Sequence, residues 1–166
     1  MHLLVSNNEL TGTIRDDFDQ FELLAFADFR NNKLEGSLPA SIFNIPTIRI
    51  LYFENNQLDG TIPLNYGNSP VLKDLFLSGN MLAGTVPEVE PGQLLALTEF
   101  LLNDNALTGT MPPSICQLRV EGVGILEDLW SDCGSTANPR LACDIPDCCT
   151  QCNPVEQSYH YGWHPL

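Results

Sequence analysis

Apolar and polar positions repeat along this chain with a period of about 24 residues. An asparagine marks each copy, and the five copies lie at Asn8, Asn32, Asn56, Asn80 and Asn105. The positions five and three residues before each asparagine are apolar, and this period of two predicts a short strand with one buried face. A leucine follows two residues after each asparagine, at Leu10, Leu34, Leu58, Leu82 and Leu107, and predicts a second row of core side chains. A fixed period of this length is the signature of a solenoid, in which each coil packs against its neighbours.

The repeated asparagines are predicted to be structural. Each one sits where the chain bends away from its strand. A buried amide can satisfy backbone groups of its own coil and of the adjacent coil, because it carries donors and an acceptor together.

A turn motif follows each asparagine, in the sequences TGTI, EGSLP, DGTIP, AGTVP and TGTMP. Glycine permits a positive φ there, and proline ends local pairing. With the strand pattern, these motifs resemble the plant-specific class of leucine-rich repeats, whose consensus is LxxLxLxxNxLxGxIPxxLxxL. The resemblance covers residues 1 to about 113. It implies an α/β solenoid, a right-handed superhelix with a parallel concave sheet and short helical, 3₁₀ or irregular convex segments. Proteins of this class include receptor-kinase ectodomains, receptor-like proteins and inhibitors of cell-wall-degrading enzymes.

The chain divides into three parts in this interpretation. Residues 1–112 hold five repeats, the first truncated; residues 113–152 hold a last atypical coil and a cysteine-rich cap; residues 153–166 form a flexible tail. The last strand is predicted at residues 125–130, with Asp132 in the asparagine's place. Among the convex side chains, Phe18 and Phe21 are expected to point inward. The chain begins inside a repeat without a leader, so we expect the C-terminal part of a longer protein, with possible tethering through segments outside it.

All six cysteines lie in the last third of the chain, at Cys116, Cys133, Cys143, Cys148, Cys149 and Cys152. Cross-links at the open end of a solenoid replace missing core, so a disulfide-bonded cap is predicted, with Cys116–Cys133 as the favoured bridge. The alternative is a zinc site formed by the last four cysteines. The even cysteine count favours disulfides, and neither a metal nor a cofactor is expected. The segment LEDLWSDCG…CDIPDCCTQC also resembles the cysteine-rich end of secreted or surface leucine-rich-repeat proteins of microalgae, which implies an extracellular or cell-surface location.

The charge balance excludes several classes of function. The chain carries 7 basic and 21 acidic residues, for a net charge of −14. Nucleic acids and anionic membranes both require a basic surface, so neither is an expected partner. The sequence has no run of 18 apolar residues, so no membrane span is predicted. The three histidines lie at the two ends of the sequence, so no catalytic arrangement is scaffolded and no enzyme is predicted.

The candidate ligand-binding residues lie between the core positions of the strands, on the concave face. Tyr52, Phe76 and Leu101 align on successive coils and predict an exposed apolar stripe, which is typical of a binding surface. The carboxylates expected to flank this stripe and to favour a basic ligand are Asp28, Glu54, Asp74, Glu99 and Asp104. The alternative is that the strands tolerate these side chains, or bury them against an adjoining protomer.

The sequence therefore predicts a receptor-like recognition module, extracellular or at the cell surface, that binds a peptide, protein or glycan on its concave face. Three alternatives stay open. One is an inhibitor of secreted hydrolases, and a second is a structural or adhesive surface protein. The third is an intracellular scaffold with a zinc-bound tail, which the state of the cysteines would distinguish.

Overall fold

The computed structural model describes residues 1–132, 141–143 and 148–152. Its helical segments are a 3₁₀ helix at Phe18–Gln20, a 3₁₀ helix at Ala40–Asn44 and the helix α1 at Pro113–Gln117. The described strands are, in chain order, β1 (His2–Leu4), β2 (Thr11–Thr13), β3 (Phe26–Asp28), β4 (Lys33–Ser37), β5 (Ile50–Tyr52), β6 (Gln57–Asp59), β7 (Asp74–Phe76), β8 (Ala83–Gly84), β9 (Glu99–Leu101), β10 (Ala106–Leu107), β11 (Gly109–Thr110), β12 (Asp128–Ser131), β13 (Leu141–Ala142) and β14 (Gln151–Cys152).

One parallel sheet runs along the concave side of the molecule, in the order β1-β3-β5-β7-β9-β12-β14. Each coil contributes one strand, and the turn segments form shorter parallel ladders of their own, β2-β4-β6, β8-β10 and β11-β13. The predicted solenoid with short 3₁₀ or irregular convex segments is confirmed. Successive strands are held in register, so a side chain at one position of the repeat lies beside its counterpart on the next coil.

The core is a continuous row of apolar side chains between the concave sheet and the convex segments. Phe53 is fully buried and its ring stacks on that of Phe29, with centroids 5.1 Å apart. Two residues predicted to point inward do not. Leu10 is 43% exposed because the first coil has a neighbour on one side only. Phe21 is 40% exposed; it directly follows the 3₁₀ helix, and its ring packs against that of Phe18 at the edge of the core.

Hydrogen bonds from the repeated asparagines join each coil to the one before it. The amide nitrogen of Asn56 donates to the carbonyl oxygens of Phe53 in its own coil (3.1 Å) and of Phe29 in the preceding coil (3.0 Å). Its amide oxygen accepts from the backbone N–H of Leu34 at 3.1 Å. The same three contacts recur at Asn32, Asn80 and Asn105. Asn8 is exposed, and its side-chain amide donates only within its own coil, to the carbonyls of Val5 and Ser6.

The last described coil departs from the repeat. Asp132 accepts from the backbone N–H groups of Asp104 (2.8 Å) and Asn105 (2.9 Å). The strand occupies residues 128–131, later than the predicted 125–130, and its register places Trp130 opposite Leu101. The boundary prediction was wrong because the 27-residue interval to Asp132 includes a turn at residues 120–123 that the earlier coils lack.

Among the described residues, two disulfides lie at the end of the solenoid. Cys116 on α1 pairs with Cys148, with Cα atoms 5.0 Å apart, and Cys143 pairs with Cys149 at 6.1 Å. The prediction of a Cys116–Cys133 bridge was wrong, because the pairing of β14 with β12 folds the chain back so that Cys148 meets α1. Cys133 and the tail at residues 153–166 lie outside the described residues. In the described part of the chain, no group of His, Cys, Asp and Glu side chains could hold a metal ion.

Candidate recognition surface

Aromatic and aliphatic side chains form a stripe across the concave sheet. The register pairs Tyr52 with Phe76, Phe76 with Leu101, and Leu101 with Trp130. Adjacent strands lie about 4.8 Å apart, and the rings of Tyr52 and Phe76 stack with centroids 4.6 Å apart. We call Tyr52, Phe76, Leu101 and Trp130 the concave stripe. All four side chains are half-buried, so each keeps part of its surface exposed on the concave face.

A cation of the chain itself packs on one end of the concave stripe. The guanidinium carbon of Arg30 lies 4.2 Å from the ring centroid of Tyr52, which is a cation–π contact. Arg30 also donates to both carboxylate oxygens of Asp28, at 3.0 and 2.8 Å. Burial alone would raise the pKa of Asp28, but the hydrogen bonds and charge of Arg30 outweigh it and lower that pKa. Asp28 is only 4% exposed and is already paired, so it is not a free carboxylate for a ligand.

Glu54 also faces Arg30, but it is held by fewer polar contacts than Asp28. Its Oε2 atom is buried, has no hydrogen bond and lies 3.8 Å from Nε of Arg30. Burial raises the pKa of Glu54 to about 7, the charges of Asp28 and Glu99 add to the rise, and Arg30 opposes it. Glu54 therefore changes its protonation state near neutral pH.

Replacing Glu54 by glutamine should flatten the dependence of stability on pH. In the unfolded chain this carboxyl releases its proton near 4.5, whereas the folded protein retains it until about 7. The unfolded state therefore binds fewer protons between these values, and the free energy of unfolding should fall by about 1 to 3 kcal/mol as pH rises through that window. Chemical unfolding at a series of pH values measures this slope. An unchanged slope in Glu54→Gln would assign the effect to other groups, such as Glu99, whose pKa burial also raises.

Three carboxylates lie in one row beside the concave stripe. The register pairs Asp74 with Glu99 and Glu99 with Asp128 on neighbouring strands. Asp74 accepts a hydrogen bond from the Thr98 hydroxyl at 2.8 Å. Burial, followed by the charges of Asp74, Asp128 and Glu127, raises the pKa of Glu99. We call Asp74, Glu99 and Asp128 the acidic row, and in the described residues none of them forms a salt bridge.

Burial, followed by the negative charge of Asp74, also raises the pKa of Tyr52, to about 12. Its hydroxyl therefore stays neutral at physiological pH and can donate or accept hydrogen bonds. The concave stripe and the acidic row thus share one electrostatic environment, which is negative and partly shielded from water.

The structure brings most of the predicted site residues together, with three differences. The carboxylate of Asp28 is paired with Arg30 and is not open to a ligand. Asp104 is exposed in the turn after β9, outside the acidic row, where it accepts from the side chain of Asn103. Trp130 and Asp128 belong to the surface but were not predicted, because counting from Asp132 misplaces their strand. The alternation of buried Leu129 and Ser131 around Trp130 is the signal that identifies them.

Comparisons with known proteins agree with this architecture. The Leucine Rich Repeat family model matches residues 96–118. The Arabidopsis thaliana GASSHO1/SCHENGEN3 ectodomain, solved in complex with CASPARIAN STRIP INTEGRITY FACTOR 2, shares 25% identity over 81% of this chain and 16% of its own, with a TM-score of 0.68. The BIR3–SERK2 complex from the same plant gives 27% identity, 86% and 73% coverage, and a TM-score of 0.62.

The Arabidopsis receptor kinase HAESA, solved with the peptide hormone IDA and the co-receptor SERK1, shares 24% identity over 80% of this chain and 22% of its own, with a TM-score of 0.70. At this identity the likeness shows the fold alone. The chain spans about one fifth of the length of the HAESA and GASSHO1 ectodomains. No curated protein sequence matches it. Within the described residues, no helix has the length and apolar character needed to cross a membrane.

Proposed function

We propose that this chain is a ligand-recognition module, extracellular or at the cell surface, that binds a peptide or protein segment carrying a cationic side chain on its concave face. The observation that carries the proposal is the position of the acidic row directly beside the concave stripe. Half-buried aromatic rings supply apolar contact, and the neighbouring carboxylates form no salt bridge with any of the described residues. A lysine or arginine of a ligand would gain both an aromatic face and a salt bridge.

The contact of Arg30 supports this ligand chemistry. Its guanidinium lies on the Tyr52 ring while its nitrogens face Asp28 and Glu54. A ligand cation over Phe76 or Trp130 would meet the acidic row in a comparable arrangement. The surface offers this combination on strands β7 and β12.

The relatives in the comparisons support a binding role. The GASSHO1/SCHENGEN3 and BIR3–SERK2 structures are both complexes of such solenoids with another molecule. The disulfides among the described residues fit an oxidising compartment. The resemblance of the cap to microalgal surface proteins and the absence of catalysis remain predictions within the same proposal.

A panel of three acetylated, amidated peptides of equal length tests the charge preference. Each alternates leucine with one second residue, which is lysine, glutamine or glutamate. We expect the lysine peptide to bind at least about tenfold more tightly than the glutamine peptide, with an affinity that falls as salt rises, and no binding of the glutamate peptide on the concave face. Isothermal titration calorimetry measures all three.

Two charge variants locate the binding site of the lysine peptide. Neutralising the acidic row by Asp74→Asn, Glu99→Gln and Asp128→Asn should abolish the lysine preference. The matched variant, which should retain it, combines Asp19→Asn, Glu35→Gln and Asp59→Asn. Equal affinity for the three peptides would contradict the proposal, and a glycan bound without any charge preference would replace it.

A further inference from the structure

A second surface lies beside the concave sheet, on the segments that enter strands β3, β5 and β7. It is an open groove of about 420 Å³. We call it the lateral groove, and its lining residues are Leu23, Ala25, Pro46, Thr47, Arg49 and Val71. Leu23 is 73% exposed, although the core lies directly beneath it at Leu24. An exposed aliphatic side chain at the rim of a groove is a candidate contact for a partner.

Backbone hydrogen bonds hold the lateral groove in a fixed shape. The backbone N–H of Arg49 donates to the carbonyl of Ala25 at 2.9 Å, and the N–H of Lys73 donates to the carbonyl of Arg49 at 2.7 Å. The hydroxyl of Thr47 donates to the carbonyls of Glu22 and Leu24, at 2.8 and 2.9 Å. The groove therefore needs little reorganisation to bind a ligand, which lowers the entropic cost of binding.

Arg49 lines the lateral groove, and a second basic residue, Lys73, follows one coil further along. Lys73 occupies the position of Arg49 on the next coil, and coils are about 4.8 Å apart. The other basic side chains in the described residues are engaged: Arg15, Arg30 and Lys33 meet carboxylates, and Arg119 donates to backbone carbonyls. Neither Arg49 nor Lys73 has a salt bridge among the described residues.

This pairing is notable in a chain of net charge −14. Among the described residues, Arg15, Arg30 and Lys33 meet carboxylates, whereas Arg49 and Lys73, on successive coils, form no salt bridge. Two adjacent cations repel each other, and a carboxylate placed between them would relieve that repulsion. Arginine in addition binds a carboxylate through two parallel hydrogen bonds.

We propose that the lateral groove binds an acidic, aliphatic segment of a partner protein. An aliphatic side chain of the partner packs on Leu23 and Val71, and the carboxylate of a neighbouring Glu or Asp side chain lies between Arg49 and Lys73. The net negative charge of the chain repels acidic partners elsewhere, so this pair of cations directs such a segment to one place. The site is separate from the concave stripe, and its occupant has the opposite charge.

Chemical-shift mapping tests the proposal on the ¹⁵N-labelled protein. The probe is the acetylated, amidated peptide Leu-Glu-Leu-Glu, and its neutral counterpart is Leu-Gln-Leu-Gln. We expect saturable shifts from the glutamate peptide, confined to residues 22–25, 46–49 and 71–73, and at least fivefold weaker binding of the glutamine peptide. Shifts centred on the concave strands, or equal binding of the two peptides, would overturn it.

A charge-matched pair of variants completes the test. Arg49→Gln with Lys73→Gln should weaken binding of the glutamate peptide at least about fivefold, whereas Arg15→Gln with Lys33→Gln removes the same charge elsewhere and should leave it unchanged. If both variants lost the same affinity for the glutamate peptide, the net charge of the protein would explain the effect, and the proposal would be overturned. Tighter binding of a glutamate-free peptide with a free C-terminal carboxylate would overturn the assignment to a side chain. Self-association abolished by the first variant alone would make a second copy the occupant instead.

Discussion

Replacing Asn80 by alanine should destabilise the solenoid by about 2 to 4 kcal/mol. Its amide nitrogen donates to the carbonyls of Phe53 and Leu77, both at 3.0 Å, and its amide oxygen accepts from the backbone N–H of Leu58 at 3.1 Å. Alanine would leave that buried N–H without a partner, at about 1 to 3 kcal/mol, and would also open a small cavity. Guanidinium unfolding followed by circular dichroism measures the loss.

Asn8 is the matched control, because it has the same place in the repeat but not the same contacts. It is exposed, and its side-chain amide donates only to the carbonyls of Val5 and Ser6 of its own coil, both at 3.0 Å. Replacing Asn8 by alanine should therefore cost less than about 1 kcal/mol. If the two substitutions cost the same, the hydrogen bonds between coils would not be the source of the stability assigned to the repeated asparagines.

The repeats were predictable from sequence because each coil restates the same physical requirement. Each copy up to Asn105 has an asparagine at the bend, a leucine two residues later, and alternating buried and exposed positions in the strand before it. Every copy therefore supports the interpretation of the others. The concave strands therefore fall where the pattern places them, and Tyr52 and Phe76 stack because their positions are equivalent. Solenoid contacts are local, and a local pattern is sufficient to predict them.

The end of the solenoid was less predictable because its contacts are not repeated. The interval to Asp132 holds an additional turn, so counting residues misplaced the strand that carries Trp130. The partner of Cys116 depends on how the chain returns past β12, which no short-range pattern encodes. Ion pairs between side chains were also not predicted from the sequence. Arg30, two residues after Asp28, forms a salt bridge with the carboxylate that was predicted to face a ligand.

Replacing both Tyr52 and Phe76 by serine should weaken binding of the alternating leucine–lysine peptide by about a hundredfold. The two rings stack at 4.6 Å and form the centre of the concave stripe. A loss of about 1.4 kcal/mol from each ring amounts to a hundredfold, and losses above about 1 kcal/mol are found for the aromatic anchors of an interface. The fold should persist, because both side chains are half-buried and the core beneath them at Phe53 and Leu77 is unchanged.

A matched control separates the concave stripe from exposed apolar surface in general. Leu64 and Val123 are 86% and 48% exposed, and both lie outside the concave sheet. Replacing these two residues by serine removes a comparable apolar area, and we expect the peptide affinity to change by less than about twofold. Circular dichroism of both variants verifies that each remains folded.

The most direct measurement is therefore the calorimetric titration of the leucine–lysine peptide into three proteins: wild type, Tyr52→Ser/Phe76→Ser and Leu64→Ser/Val123→Ser. Recognition on the concave face predicts tight binding to the wild type and to the control, and about a hundredfold weaker binding to the folded Tyr52/Phe76 variant. Equal affinity for all three proteins would contradict it and would place any ligand of this chain elsewhere on the molecule.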